Sequence, residues 1–414
     1  MLVVHTADVH IGVENYGIPD PSSKVSSRLT DFLKTLDEVI TYSLDNKADI
    51  VLFCGDAYKS RNPNQTHQRE FASRIARLSK DGIQVFLLSG NHDSPNIPGP
   101  ATALEIFPTL SVTNVHIGDK LETHLIDTRS GPVQVVALPW IRKGQFLSNF
   151  DPRQKKPELI NLAIEDHLTE AIRLEAESLD PNIPSILAGH VSLNTAKTSS
   201  EKSMMLGKDY VLLKSAIALP HFDYVALGHI HKHQILNENP RVVYPGSLQR
   251  IDFGEENDTK GFCSLELNSE NHRGNREEKF QFIEVNARKF VTAKIQIKED
   301  DNNPTATIIA TLNRLDISES VVQVLIDVAP GKLAHIDDDA IKQTLSAAHL
   351  VSTIRKNVIE ERRIRFSSNL TENASPSDIL KAYLESRDIT EEKTALLLER
   401  GSELISESPP PAYP

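Results

Sequence analysis

An α/β (α+β) sandwich of two mixed sheets flanked by helices is the fold class this sequence predicts for residues 1–286, on three observations. Apolar runs of strand length alternate with segments whose apolar residues recur at about 3.6 positions, the doubly wound pattern. Five of those runs end in Asp, Asn or His, with glycine just ahead of that residue in all but the first. After residue 100 the strands shorten and the segment closes on a hairpin, which brings antiparallel pairing into the sheets.

Taken in order, Leu2–Ala7 is a strand emptying into Asp8-Val9-His10, followed by a loop rich in Gly, Pro, Asp and Ser. A helix capped by Ser26 or Ser27 presents Leu29, Phe32, Leu33, Leu36, Val39 and Ile40 on one face. Ile50–Cys54 runs into Gly55-Asp56, and the next helix carries Phe71, Ile75 and Leu78 before stopping at Gly82. Ile83–Leu88 then delivers Gly90-Asn91-His92-Asp93, an amide oxygen, an imidazole and a carboxylate in one turn. Shorter strands follow at 113–117, 123–127 and 132–138, then a long helix spanning Leu159 to Leu174. Ile183–Ala188 ends in Gly189-His190 and Tyr224–Leu227 in Gly228-His229-Ile230-His231; strands at 241–244, 261–267 and 280–285 complete the unit.

A second α/β unit is expected over residues 287–368. Phe290–Ile297 alternates like a half-buried strand, 304–315 has helical spacing, Val321–Val328 is a strand, and two further helix-like stretches precede Arg365. Residues 369–405 read as a polar linker and two helices, the first opened by Ser375-Pro376-Ser377-Asp378 as cap, first-turn proline and first-turn acid. Their apolar residues, including Ile379, Tyr383, Leu396, Leu397 and Leu404, form faces too small to make a core, which suggests a partner surface. Residues 406–414 are expected to be disordered.

The whole chain has 414 residues, 39% hydrophobic and 25% charged, an ordinary globular composition. A formal charge of -12 excludes a basic coat for nucleic acid, so any attraction to phosphate has to be local or supplied by a partner. No apolar run approaches the roughly 18 residues of a membrane span, and the first residues do not read as a signal peptide. The two cysteines, Cys54 and Cys263, each lie in a strand-like run and read as buried thiols of a reducing cytoplasm.

Five of the 15 histidines fall in the short strings at strand ends, where open α/β sheets bind ligands. Two divalent ions about 3.5 to 4 Å apart can hold both the attacking and departing oxygens of a phosphoryl group, which requires a shared carboxylate. Asp56, alone at the end of the central second strand, is the natural bridge. Asp8, His10 and His231 then complete one ion, and Asn91, His190 and His229 the other. Mixed nitrogen and oxygen donors without thiolate favour Mn²⁺, with Mg²⁺ as second choice. His92 is left free to act on the phosphate.

At these residues the sequence resembles the calcineurin-like metallophosphoesterases, whose five motifs it matches in order and spacing. Within them it is similar to the SbcD nuclease-subunit family of the SbcCD complex, on the stretch Tyr244-Pro245-Gly246-Ser247-Leu248-Gln249-Arg250-Ile251-Asp252-Phe253-Gly254. The resemblance implies a four-layer sandwich, a capping domain and C-terminal helices for an SbcC-type coiled-coil ATPase, which uses the ATP. It further implies a homodimer, a cytoplasmic, nucleoid-associated location, and a manganese-dependent exonuclease and endonuclease acting on duplex ends, hairpins and single strands in repair and recombination. His92 would then stabilise the transition state or protonate the leaving oxygen, and Lys59, Arg61 and Arg250 would meet the DNA backbone. One departure is Lys59, which stands where relatives often carry a second histidine. A phosphomonoesterase or cyclic-nucleotide phosphodiesterase would use the same ions, and a non-catalytic scaffold of the same fold is the third alternative.

Overall fold

The computed structural model describes residues 1–22, 24–94, 101–141, 157–199, 210–359, 375–385 and 391–407. Two six-stranded sheets lie face to face. In the first, β1 (Leu2–Thr6), β2 (Ile50–Cys54), β3 (Gln84–Leu88) and β4 (Val115–Gly118) run parallel, with β13 (Gly261–Leu267) antiparallel to β1 and β14 (Glu277–Glu284) beyond it. The second has the order β11 (Gln234–Glu238), β12 (Arg241–Tyr244), β10 (Tyr224–Gly228), β7 (Ser185–His190), β6 (Gly131–Leu138) and β5 (Glu122–Thr128). A separate two-residue pair, β8 (Ser192–Leu193) with β9 (Val211–Leu212), lies beside it.

Alternation along each strand sorts the side chains into layers. In β2, Ile50, Leu52 and Cys54 enter the core between the sheets with Ile186, Ala226 and Val243. Val51 and Phe53 face the other way, against Leu36 and Val39 of α1 (Ser27–Asp45) and Phe71 and Ile75 of α2 (Gln65–Lys80). On the outer face of the second sheet, Ile164, Leu168 and Ile172 of α3 (Pro157–Ser178) cover Leu187, Val225 and Leu227. The result is the helix, sheet, sheet, helix sandwich that the pattern predicts. Ser26 caps α1 by accepting from Arg28 N, and Asn64 caps α2 by accepting from His67 N. Cys54 and Cys263 are both buried.

Residues 290–358 form a three-stranded parallel sheet of β15 (Phe290–Ile297), β16 (Val321–Val328) and β17 (Leu350–Val358), with α4 (Pro304–Leu312) and α5 (Asp338–Thr344) packed on it. The second helix-like stretch expected before Arg365 is therefore a strand. Residues 350–358 pair with β16 along their length, and that ladder outweighs a local pattern too short to separate the two periods. Strand β11 also escapes sequence reading, because its polar Gln234, Asn237 and Glu238 hide an edge strand hydrogen-bonded to β12. The expected boundary at 368 and linker lie outside the described residues. Beyond it, α6 (Pro376–Glu385) begins after Ser375, whose hydroxyl donates to Asp378 at 2.6 Å. The last helix, α7 (Glu391–Glu407), packs against α6 and takes in Ser406 and Glu407, the first two residues of the expected disordered tail.

Candidate metal centre

The carboxyl ends of β1, β2 and β3 in one sheet and of β7 and β10 in the other meet at one rim. Asp8, His10, Asp56, His190, His229 and His231 are all buried there, and Asn91 and His92 are half-buried at the mouth. Asp8, His10, Asp56 and His229 have φ of 52°, 50°, 55° and 97°, the left-handed region that costs non-glycine residues about 1 kcal/mol or more. The chain turns that sharply so that successive residues aim their side chains at the same point. Glycine precedes the ligands for a steric reason. A Cβ on Gly228 would sit 1.8 Å from Cys54 O, and one on Gly90 would sit 2.4 Å from Asp56 N.

Ligand atoms of Asp8, His10 and His231 lie within 4.8 Å of one another, as do those of His10, Asp56 and His92 and those of Asp8, Asp56 and His190. Asp56 belongs to two of the three groups. His190 Nε2 is 2.9 Å from Asn91 Oδ1 and 3.4 Å from Asp56 Oδ2, while Asn91 Oδ1 is also 3.2 Å from His229 Nδ1. His10 Nε2 and His231 Nε2 face each other at 3.0 Å. Two of these rings are held on the far side: His190 Nδ1 donates to Cys54 O at 2.8 Å, and His231 Nδ1 donates to Glu255 Oε1 at 2.8 Å. Those partners set the tautomers and turn both Nε2 atoms toward the cluster.

Burial acts upward on both carboxyls. It pushes Asp8 up to about 6, whereas for Asp56 the imidazoles of His190, His92 and His10 win and hold it well below the usual carboxylate range. Burial pushes His10 and His229 well below the usual imidazole range, so both are neutral. For His190 burial pulls down but the Asp56 charge overrides it, raising the ring to about 9. A proton there stands between oxygens that call for positive charge, and a cation would displace it. Converging carboxylate, amide and imidazole donors, with no thiolate among them, fit divalent ions of the borderline class.

Of the other residues singled out, His92 donates from its backbone N–H to Asp56 Oδ1 at 2.8 Å and from Nδ1 to Lys59 O at 2.8 Å. Its Nε2 is thereby the atom left to serve the site. Lys59 and Arg61 are exposed on the same rim, Arg61 donating from Nε to Ser94 O at 2.5 Å. Arg250 is different: its guanidinium is turned onto the carbonyls of Glu256, Asp258, Ala287 and Arg288, at 2.8 to 3.4 Å. Four of its five N–H groups are thus committed to main-chain acceptors, which makes Arg250 chiefly a brace for this loop and, unlike Lys59 and Arg61, a poor candidate for a DNA phosphate. Asp93 likewise turns from the cluster to accept from Gly90, Ala57 and Tyr58 N–H groups, tying two ligand turns together.

Two neighbours of the cluster escaped sequence reading. Glu255, fully buried behind His231, follows directly on the Tyr244–Gly254 stretch, and nothing local distinguishes it from a turn acid. Trp140, two residues past the end of β6, lays its ring 5.0 Å from that of His229.

A rim of buried carboxylates and imidazoles joining two sheets is suited to a metal-dependent hydrolase. The family described as calcineurin-like phosphoesterase matches residues 1–233, which contain every donor above, and the chain belongs to it. Among solved structures, a dimetal phosphatase from Danio rerio is 10% identical, with 69% of this chain and 98% of that one covered at a TM-score of 0.35. The protein TT1561 of Thermus thermophilus is 14% identical, with 68% and 98% covered at a TM-score of 0.34. Among the described residues no helix is long and apolar enough to cross a membrane.

Proposed function

We propose that this chain is a metal-dependent DNA nuclease, the D subunit of an SbcCD-type repair and recombination complex, cleaving phosphodiesters at duplex ends, hairpins and single strands. The observation that carries the reading is the convergence of Asp8, His10, Asp56, Asn91, His190, His229 and His231 beneath a half-buried His92. On this reading Asp8, His10 and His231 would hold one divalent ion, Asn91, His190 and His229 the other, and Asp56 would serve both, with Mn²⁺ preferred. Bound ions of this kind acidify water and neutralise phosphoryl charge.

The chain's own residues supply the rest. Asp56 is fixed by the His92 N–H, so the shared carboxylate cannot swing away. His92 keeps its Nδ1–H on Lys59 O, so it would act in its doubly protonated form, offering Nε2–H to the phosphoryl oxygen or giving that proton to the departing sugar oxygen. Exposed Lys59 and Arg61 lie beside it, where a nucleic-acid backbone entering the rim would run. The preference for DNA over a small phosphomonoester rests on the Tyr244–Gly254 resemblance and on the units added after residue 286.

The test is purified full-length chain with Mn²⁺ and three substrates: hairpin DNA, single-stranded DNA and p-nitrophenyl phosphate. Cleavage of both DNAs at rates far above the small ester supports the nuclease. Turnover of p-nitrophenyl phosphate alone overturns it in favour of a phosphomonoesterase. For the ATPase partner, the exposed Ile379, Tyr383, Leu396, Leu397 and Leu404 of α6 and α7 are the proposed contact. Co-purification that survives truncation at Ser368 would overturn that assignment.

A further inference from the structure

The turn Asp252–Glu256 touches two parts of the molecule at once. Glu255 is fully buried; its Oε1 accepts the His231 Nδ1–H, and its Oε2 accepts from Lys260 Nζ at 2.7 Å and Ile251 N at 3.2 Å. Lys260, 1% exposed, also donates to the His231 carbonyl at 3.1 Å and to Ser247 Oγ at 2.9 Å. The pair therefore grips His231 by its ring and by its main chain. On the flanks of Glu255, the Phe253 ring meets Phe290 edge-on at 5.0 Å and Tyr16 at 5.5 Å, and Glu256 accepts the backbone N–H of Thr292 at 2.8 Å together with its hydroxyl. Phe290 and Thr292 open β15 of the three-stranded sheet.

We propose that Glu255, neutralised by Lys260, is the positioning residue for His231, and that the turn bearing it makes metal affinity depend on how β15 is seated. This rests on the reading of His231 as a metal ligand. A carboxylate on Nδ1 fixes the tautomer and raises the basicity of Nε2, the nitrogen aimed at His10 and the cluster. Lys260 makes that carboxylate tolerable in the interior. The turn has no slack, because Asp252 caps it by accepting from Gly254 N at 2.7 Å, so a shift at Phe290 or Thr292 reaches Glu255 within one turn.

Mn²⁺ titration of the full chain tests this, with unbound Mn²⁺ counted by electron paramagnetic resonance. The fluorescence of Trp140, the single tryptophan of the sequence, follows the site. Two ions bound by the unaltered chain are expected; fewer would overturn the ligand reading itself, before any variant is examined. Glu255→Leu combined with Lys260→Met removes both charges, and one of the two ions is expected to bind about ten- to a hundredfold more weakly. Should that variant not fold, Glu255→Gln, which keeps the shape and an acceptor, is expected to weaken the same ion by a smaller factor. Thr292→Val and Phe290→Leu are expected to weaken it roughly two- to fivefold, as indirect changes to its support. A folded Glu255 variant with unaltered affinity for both ions overturns the positioning role, and unaltered affinity in both β15 variants overturns the coupling.

Discussion

The metal rim and the three-stranded sheet are both made from short apolar strands, yet they are built to opposite standards. At the rim, Asp8, His10, Asp56 and His229 adopt left-handed backbone and buried polar side chains crowd one point; in residues 290–358 the described positions include one such non-glycine residue, Glu319, and the core is aliphatic. Strain and buried charge persist only where the surroundings over-determine them. The sandwich supplies that by gripping the rim from two sheets, whereas the small sheet has only packing to satisfy.

The sharpest way to break this contrast is to remove the shared carboxylate. Asp56→Ala is expected to lose both ions and take hydrolysis to background while circular dichroism stays native, with metal content as the readout; two ions retained would end the bridging assignment. Next comes one substitution made in both regions. Gly228→Ala drives a Cβ into Cys54 O and is expected to abolish Mn²⁺ binding and cost at least about 3 kcal/mol of stability, as overpacking at its worst does. Gly331→Ala, at φ 83° with open space around it, is expected to cost only about 1 to 2 kcal/mol and leave metal binding alone. Chemical denaturation of the two variants compares them directly.

A smaller effect separates ligand from reactant within the rim itself. His92→Ala is expected to keep both ions and lower turnover about a hundredfold, the usual scale for a general acid or charge stabiliser; metal lost in step with activity would make His92 a ligand. The last concerns pH. His5, wedged between the sheets with Nδ1 on Tyr224 Oη and Nε2 on Leu227 O, is pushed down to about 3 by burial. Its folded form binds a proton less readily than the unfolded chain, so its contribution is present above about pH 6.5 and is lost as pH falls toward 3. Metal-free His5→Gln chain should therefore lose less stability between pH 7 and 4 than the unaltered chain, measured by urea unfolding at each pH.

How much of this was legible beforehand follows from the physics of each feature. Period-2 burial in Ile50–Cys54 and helical spacing in Leu29–Ile40 are local properties, and those elements read directly from the residues. An edge strand such as Gln234–Glu238 buries too little to leave a pattern, and residues 350–358 are a strand chiefly because β16 lies beside them. Arg250 shows the same limit in the site: an arginine beside a metal motif looks like a phosphate contact until four carbonyls are found around it.

By itself the sequence determined the layered sandwich and marked the seven side chains that meet at the rim, because strand ends carrying Asp-Val-His, Gly-Asp, Gly-Asn-His and Gly-His are written in consecutive positions. Tertiary structure alone decided which of them face one another, that Asp93 serves the backbone, and that Glu255 and Lys260 stand behind His231. The His231–Glu255 and His10–His231 contacts join residues 24 and 221 positions apart in the chain. Only the folded chain brings such distances to 3 Å.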